Sequence, residues 1–391
     1  MRIGILAPEQ SGKSSYLAAL HAVLTEKAAT NAYPIRFKLN DPNQQKRLDG
    51  YVRNLVLERG QMRFPPKTNA ITDYKYAASL TADGSVEEEL EIVDYPGGFI
   101  RGADEKDIAE QRDLIASLQR CDGLIILLDA QHLIEAAEDG DDYTLGYRTA
   151  AGDVADLLRR CAQSHLVNNT RSVAWSIPMV FCITKFDKYA DVAVSFSVAP
   201  AIKETDDGAN PPLLLAVKKV RELFSAFFEP VPKGSLEKKD YLTMITAVSL
   251  GHGIENNGRF KPFNLLSSLE FCIGFAAGQK QAIFGGEADE HMSGKNRNRQ
   301  KAQERREMGP LDTISDFLDT FEFVSEYDSR AESYASRESD ARERARRQAK
   351  IANEATRKLY ELQNMTRNLA AIYIGGKGRV ISDSGNSFQL L

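Results

Sequence analysis

Gly12, Lys13 and Ser14 follow the short apolar run "RIGIL" and open the helix-like run "KSSYLAAL". A strand, a Gly-Lys-Ser and a helix in that order make a phosphate cradle. Backbone N–H groups of residues 9 to 14 can wrap a β-phosphate, and the helix N-terminus adds partial positive charge. Lys13 is placed to reach the β- and γ-phosphates, Ser14 to ligate Mg2+ and Ser15 to touch the α-phosphate. Glu9, Gln10 and Ser11 complete the loop "APEQSGKS". Ala7 stands where such loops usually carry glycine. It begins the turn without approaching phosphate closely, so a methyl group is tolerated there. Glu9 and Gln10 are bulky for this loop, and the negative charge of Glu9 either weakens binding or orients water.

Four further stretches extend the same chemistry. "VDYPGG", residues 93–98, follows an apolar strand and fits D-x-x-G, with Asp94 holding Mg2+ through water and the Gly97 amide meeting the γ-phosphate. "ITKFD", residues 183–187, ends the apolar run "MVFCIT" and fits [NT]-K-x-D. A carboxylate there accepts from N1–H and the exocyclic amine of guanine, a donor pair that adenine lacks on that edge. Asp187 therefore selects guanine, the Lys185 stem lies on the base, and Thr184 stands where Asn is commoner. "ITAVSLGHG", residues 245–253, resembles the loop whose Ala amide bonds guanine O6, which assigns Thr246 and Ala247. "RFPPKTNAIT" offers Thr68 and Thr72 as the threonine that closes over Mg2+ and γ-phosphate. Thr68, on the loop after Pro65 and Pro66, is preferred.

The ordered set Lys13–Ser14, Thr68, Asp94–Gly97, Thr184–Lys185–Asp187 and Thr246–Ala247 resembles the Ras-like P-loop GTPases of the translation-factor-related (TRAFAC) class, over roughly residues 1 to 280. Rho-like members also carry Thr at the place of Thr184. An added strand and helix at about 31–60, with "SGKSSYLAAL", resembles the double-GTPase-like family of bacterial conflict and antiviral defence systems. The resemblance implies GTP binding with Mg2+, hydrolysis to GDP, and loops around Thr68 and Gly97 that order on the γ-phosphate and relax on its loss. It also implies a switch working through a protein effector or activator. The chain departs from the family where a water-orienting Gln should follow D-x-x-G: Gly98 stands there, which implies slow intrinsic turnover. Arg63 and Arg101 are candidates for a compensating cation in cis, and each also reads as a solvated surface arginine. The competing function is a nucleotide-bound assembly module with little or no hydrolysis.

The elements that must position these residues alternate along the chain. "GLIILLDA" and "MVFCIT" are apolar at nearly every position, as strands buried on both faces are. "YPIRFKLN" precedes a helix capped by Asp41, with Pro42 in its first turn and Leu48, Tyr51, Val52, Leu55 and Val56 on one face. "AITDYKYAASL" and "VEEELEIVDY", joined by "TADGS", read as a hairpin. Helices are expected around 147–166, 212–228 and 262–280. The fold class is α/β, a doubly wound mostly parallel sheet with one antiparallel hairpin strand.

Residues 1–285 form the nucleotide domain in this scheme, 286–310 a polar linker, and 311–391 a helical arm with a terminal hairpin. Leu311, Ile314, Phe317, Leu318 and Phe321 make an apolar stripe. Residues 330–369 form one long helix with Ala345, Ala349, Ala352, Leu359, Leu362, Thr366 and Leu369 near a 4-3 repeat, the pattern of a coiled-coil seam for homo-oligomers or of a helix packed on a neighbour. Gly375, Gly376, Lys377 and Gly378 turn the hairpin. A net charge of -5 speaks against a general nucleic-acid binder. The longest apolar run, "GLIILL", is too short to span a bilayer. The four cysteines lack C-x-x-C spacing, three of them sit in apolar surroundings so that buried reduced thiols are the better reading, and no secretory signal opens the chain, so a cytoplasmic location is expected.

Overall fold

The computed structural model of the protein describes residues 1–30, 35–56, 64–66, 70–80, 87–97, 105–134, 142–168, 177–189, 211–228, 242–251, 260–274, 370–374, 377–381 and 388–390. Strand β1 (Arg2–Leu6) leads into α1 (Lys13–Thr30), β2 (Ile35–Leu39), α2 (Pro42–Val56) and the hairpin β3 (Thr72–Leu80) and β4 (Glu87–Asp94). Next come α3 (Glu105–Leu118), β5 (Gly123–Asp129), α4 (Ala130–Ile134), α5 (Asp142–Asn168) and β6 (Met179–Thr184). Then follow α6 (Pro211–Leu223), α7 (Ser225–Phe228), β7 (Leu242–Ala247) and α8, a helix over 265–274. Strands β8 (Ala370–Ile374), β9 (Lys377–Ile381) and β10 (Phe388–Leu390) are the last elements.

All ten strands join one sheet in the order β10-β9-β8-β7-β6-β5-β1-β4-β3-β2. The central pairs β4–β1, β1–β5, β5–β6 and β6–β7 are parallel. Every residue of β5 and β6 is buried, because helices cover both faces of the sheet at the centre. Alternation along the strands divides the core in two. Ile3, Ile5, Ile125, Leu127, Val180 and Cys182 pack against α1, α2 and α8. Leu6, Leu124, Ile126, Leu128, Phe181 and Ile183 face α3, α5, α6 and α7. The fold is thus the doubly wound α/β class that the apolar runs imply.

The edges carry more antiparallel pairing than the single expected strand. β3 pairs antiparallel with β4 and with β2. In β2, Ile35, Phe37 and Leu39 are buried while Arg36 and Lys38 are exposed, a half-buried edge with charge on its open face. The Asp41 cap is present: its Oδ1 accepts the Asn43 N–H at 2.8 Å. On α2, Leu48 and Leu55 are buried, whereas Val56 is 54% exposed. At the other edge, β8 pairs antiparallel with β7 and β9 with β8, so the terminal hairpin extends the sheet. A break at Phe224 divides the helix expected over 212–228 into α6 and α7. The linker expected over 286–310, the apolar stripe expected at 311–321 and the helix expected over 330–369 lie outside the described residues. Among the described residues no helix is long and apolar enough to cross a membrane.

All four cysteines are buried and free. Burial pushes the thiol of Cys121 up to about 11, those of Cys161 and Cys182 up to about 12, and that of Cys272 well above its ordinary value. Ellman's reagent at mildly alkaline pH should therefore find no fast thiol in the native protein and all four on denaturation. A thiol that reacts within seconds in the folded chain would contradict this core.

Candidate nucleotide-binding site

The five parallel strands end on one edge of the sheet, so the loops after β1, β4, β5, β6 and β7 converge there. Register aligns them: Ile5 lies opposite Asp94, and Asp129 opposite Thr184. In the loop after β1, Gln10 has φ 68° and Gly12 φ 80°. Left-handed residues of this kind turn successive N–H groups toward one concavity, an anion nest. Ala7 is not among the described non-glycine residues with positive φ, so the glycine usual at that place is not needed. α1 starts with the Tyr16 N–H bonded to the Gly12 carbonyl at 2.8 Å. Ser11 and Ser15 are buried, while Glu9 and Gln10 are exposed.

Lys13 is 9% exposed, and its Nζ lies 2.6 Å from Asp94 Oδ1 and donates to the Tyr95 carbonyl. Burial lowers the Lys13 pKa and the Asp94 charge opposes that shift. Gly97 presses on the same loop. A Cβ built on it would stand 2.9 Å from the Ala7 carbonyl oxygen and 3.2 Å from the Glu9 nitrogen, so a side chain there would force the two loops apart. The Ser14 hydroxyl donates to the Pro66 carbonyl at 3.2 Å, which brings the segment before Thr68 onto the start of α1. Thr72 opens β3 opposite Asp94, and its hydroxyl donates to the Ala70 carbonyl at 3.3 Å. Thr68, Arg63 and Arg101 lie outside the described residues.

The β6 loop reaches back to this cradle. The Thr184 hydroxyl lies 3.0 Å from the Ser11 carbonyl and 3.2 Å from that of Leu128. Lys185 has φ 56°; its Nζ donates to the Gln10 carbonyl at 3.3 Å and pairs with Asp129 Oδ2 at 2.7 Å. Asp187 sits in a 3-10 turn, Phe186–Lys188, and its Oδ1 accepts from the Ser249 hydroxyl at 2.7 Å. Ser249 Oγ in turn accepts the Gly251 N–H at 2.9 Å.

Thr246 and Ala247 are the last two residues of β7 and have no exposed surface. Asn264 Nδ2 donates to Thr246 Oγ1 at 2.7 Å and to the Ala247 carbonyl at 2.9 Å, which ties them to the segment before α8. The side chain that meets Asp187 is Ser249.

Asp129 and Tyr147 also escaped the sequence analysis. Asp129 is 1% exposed and anchors Lys185. The Tyr147 hydroxyl accepts the Asp129 N–H at 2.6 Å and bonds Ser11 Oγ at 2.7 Å, while its ring stacks on His132 at 4.3 Å. α5 therefore holds the cradle from below. No spacing signals this, because the partners are 136 positions apart. For a metal, Ser14 Oγ and the Asp94 carboxylate offer hard oxygen ligands; among the described residues no group of three or more His, Cys, Asp or Glu could hold one. Such a donor set suits Mg2+, which is usually bound through one or two carboxylates plus phosphate oxygens and water.

Tyr147→Phe keeps the ring but leaves the Ser11 hydroxyl and the Asp129 N–H without this partner. It should lower stability by about 1–3 kcal/mol. Urea unfolding should show an earlier midpoint at unchanged slope. An unmoved midpoint would mean the tie contributes nothing.

No protein-family model matches the chain, and no curated protein matches it. Among solved structures it is similar to a chain of the signal recognition particle receptor SRb-GTP/SRX complex from Chaetomium thermophilum, at 14% identity and a TM-score of 0.32, over 63% of this chain and 90% of that one.

Proposed function

We propose that this chain is a guanine-nucleotide switch that hydrolyses GTP to GDP. The observation that carries this is the direct bonding between the phosphate-side and base-side loops: Thr184 to the Ser11 carbonyl, and Lys185 to the Gln10 carbonyl. One ligand with a phosphate end and a purine end fits such a pair of joined loops. The nest at Gln10–Gly12 takes the β-phosphate, with Lys13 turning from Asp94 to the β- and γ-phosphate oxygens. Ser14, Asp94 and Thr68 would hold Mg2+, which would neutralise phosphate charge. The Gly97 amide meets the γ-phosphate.

At the base, Ser249 orients the Asp187 carboxylate, and each of its oxygens keeps a lone pair for a guanine donor. The Lys185 stem, drawn toward the cradle by Asp129 and Gln10, forms a floor for the ring. The Ala247 amide, at the end of β7, is the donor to guanine O6. Turnover is slow without a partner because Gly98 brings no side chain to the water; Arg63 and Arg101 are the cations in cis that could assist.

Residues 330–369 relay the bound state to a protein effector, and oligomerisation of that arm belongs to the same proposal. The pairing of Ala370 with Thr246 supports it, since the arm enters the sheet at the end of β7 nearest the base loop. The resemblance of the β2–α2 segment supports a place in a bacterial defence or conflict system. The absent side chain at Gly98 favours a second reading, an assembly module that holds nucleotide without cleaving it. Phosphate release in single-turnover assays separates the two.

Equilibrium titration tests the central claim. Lys13→Ala should weaken GTP binding by about tenfold or more, a loss of at least about 1.4 kcal/mol. Asp187→Asn should cut the preference for GTP over ATP by a similar factor while leaving Mg2+ dependence in place. Equal affinity of the wild-type protein for ATP and GTP would remove the base-reading role of Asp187.

A further inference from the structure

Hydrolysis needs a group that orients the attacking water, and Gly98 has none to offer. The group must come from another segment that reaches the Gly97 side of the cradle. The three heavy atoms nearest a Cβ built on Gly97 are the Ala7 carbonyl oxygen at 2.9 Å, the Glu9 nitrogen at 3.2 Å and Glu9 Cγ at 3.4 Å. The one side chain among them is that of Glu9, whose carboxylate lies one carbon–carbon bond beyond that Cγ.

Asp94, Asp129 and Asp187, the other carboxylates of the site, are buried. Asp94 pairs with Lys13, Asp129 with Lys185, and Asp187 accepts from Ser249. Glu9 differs from them in being exposed, so its carboxylate can carry water to the nucleotide. Its backbone lies in the nest whose curvature is set by Gln10 and Gly12, so the position of the side chain is coupled to that of the phosphates.

We infer that Glu9 is a catalytic residue: its carboxylate orients the hydrolytic water beside Gly97 and accepts its proton, in place of the side chain missing at Gly98. This rests on the GTP reading above. The water oxygen bonds to the γ-phosphorus as the bond from that phosphorus to the β–γ bridging oxygen breaks. GDP leaves with the electron pair of that bond, inorganic phosphate forms, and the proton passes to Glu9 and on to solvent. The same carboxylate faces the γ-phosphate and repels it, so it weakens GTP binding relative to GDP.

The test compares full-length wild type with Glu9→Ala by single-turnover GTP hydrolysis in the presence of Mg2+, protein in excess, together with separate GTP and GDP titrations. Glu9 is exposed, so the variant folds; the expected result is bound GTP cleaved about 100-fold more slowly. The ratio of GTP to GDP affinity should rise in the variant. A rate within about threefold of wild type overturns the assignment. So does an unchanged affinity ratio, or a wild type that binds GTP and never releases phosphate. A wild type that binds no guanine nucleotide overturns the GTP reading itself, and this inference with it.

Discussion

A lysine whose side chain is only 9% exposed cannot leave its ammonium group unpaired. Desolvation costs several kcal/mol per ion, and only an anion with further hydrogen bonds offsets it. Lys13 meets that demand with Asp94 and the Tyr95 carbonyl. The pair fastens the end of β4 to the start of α1, and the register of Ile5 with Asp94 keeps both at one level. Removing one partner from a buried pair typically costs about 3–5 kcal/mol, because the other charge is left behind. The lowered pKa of Lys13 has the same origin: burial disfavours the charge and Asp94 restores part of it. A phosphate anion would satisfy this ammonium as Asp94 does.

The second constraint is strand direction. Parallel strands β4, β1, β5, β6 and β7 deliver their loops to one edge, and each loop contributes one tie. Thr184 and Tyr147 hold Ser11 from opposite ends, one at its carbonyl and the other at its hydroxyl. Gln10 accepts the left-handed conformation, which for a residue with a Cβ costs roughly 1–2 kcal/mol. The Lys185 ammonium on its carbonyl helps to hold it there. In the same loop Ala7 needs no such compensation, which is why a non-glycine start is tolerated while Gly97, crowded by the Ala7 carbonyl, has no room for a methyl group.

What was legible in the sequence is what local spacing can carry. "SGKS" after a strand, D-x-x-G after a hairpin strand and T-K-x-D after a buried strand each lie within a few residues of the element that positions them, and Lys13, Asp94, Gly97, Thr184, Lys185 and Asp187 do meet at one edge. The part played by Ser249 was not legible, because its bond to Asp187 joins residues 62 positions apart. Asp129 reads as the end of an apolar strand, and Tyr147 as an aromatic on a helix. Their roles exist only through contacts with Lys185 and Ser11, which no short window contains. The attachment of β8 to β7 was hidden for the same reason, since nearly the whole C-terminal third of the chain separates them.

That attachment gives the sheet edge a consequence for the base loop. Backbone pairing of Ala370 with Thr246 and Ala371 with Ile245 makes β7 an interior strand, bonded to β6 on one side and β8 on the other. Thr246 and Ala247 are further clamped by Asn264. The Ser249 loop therefore springs from a strand held on three sides, and its hydroxyl can hold Asp187 in a fixed orientation only because that base is rigid. A displacement of β8 along its ladder would be felt first at Thr246, three residues before Ser249, while the cradle at Gly12–Ser14 is shielded by two intervening strands, β6 and β5. Among the described residues, the Ser249–Asp187 bond and the Thr184 and Lys185 ties thus form a chain of contacts from β7 to the loop after β1.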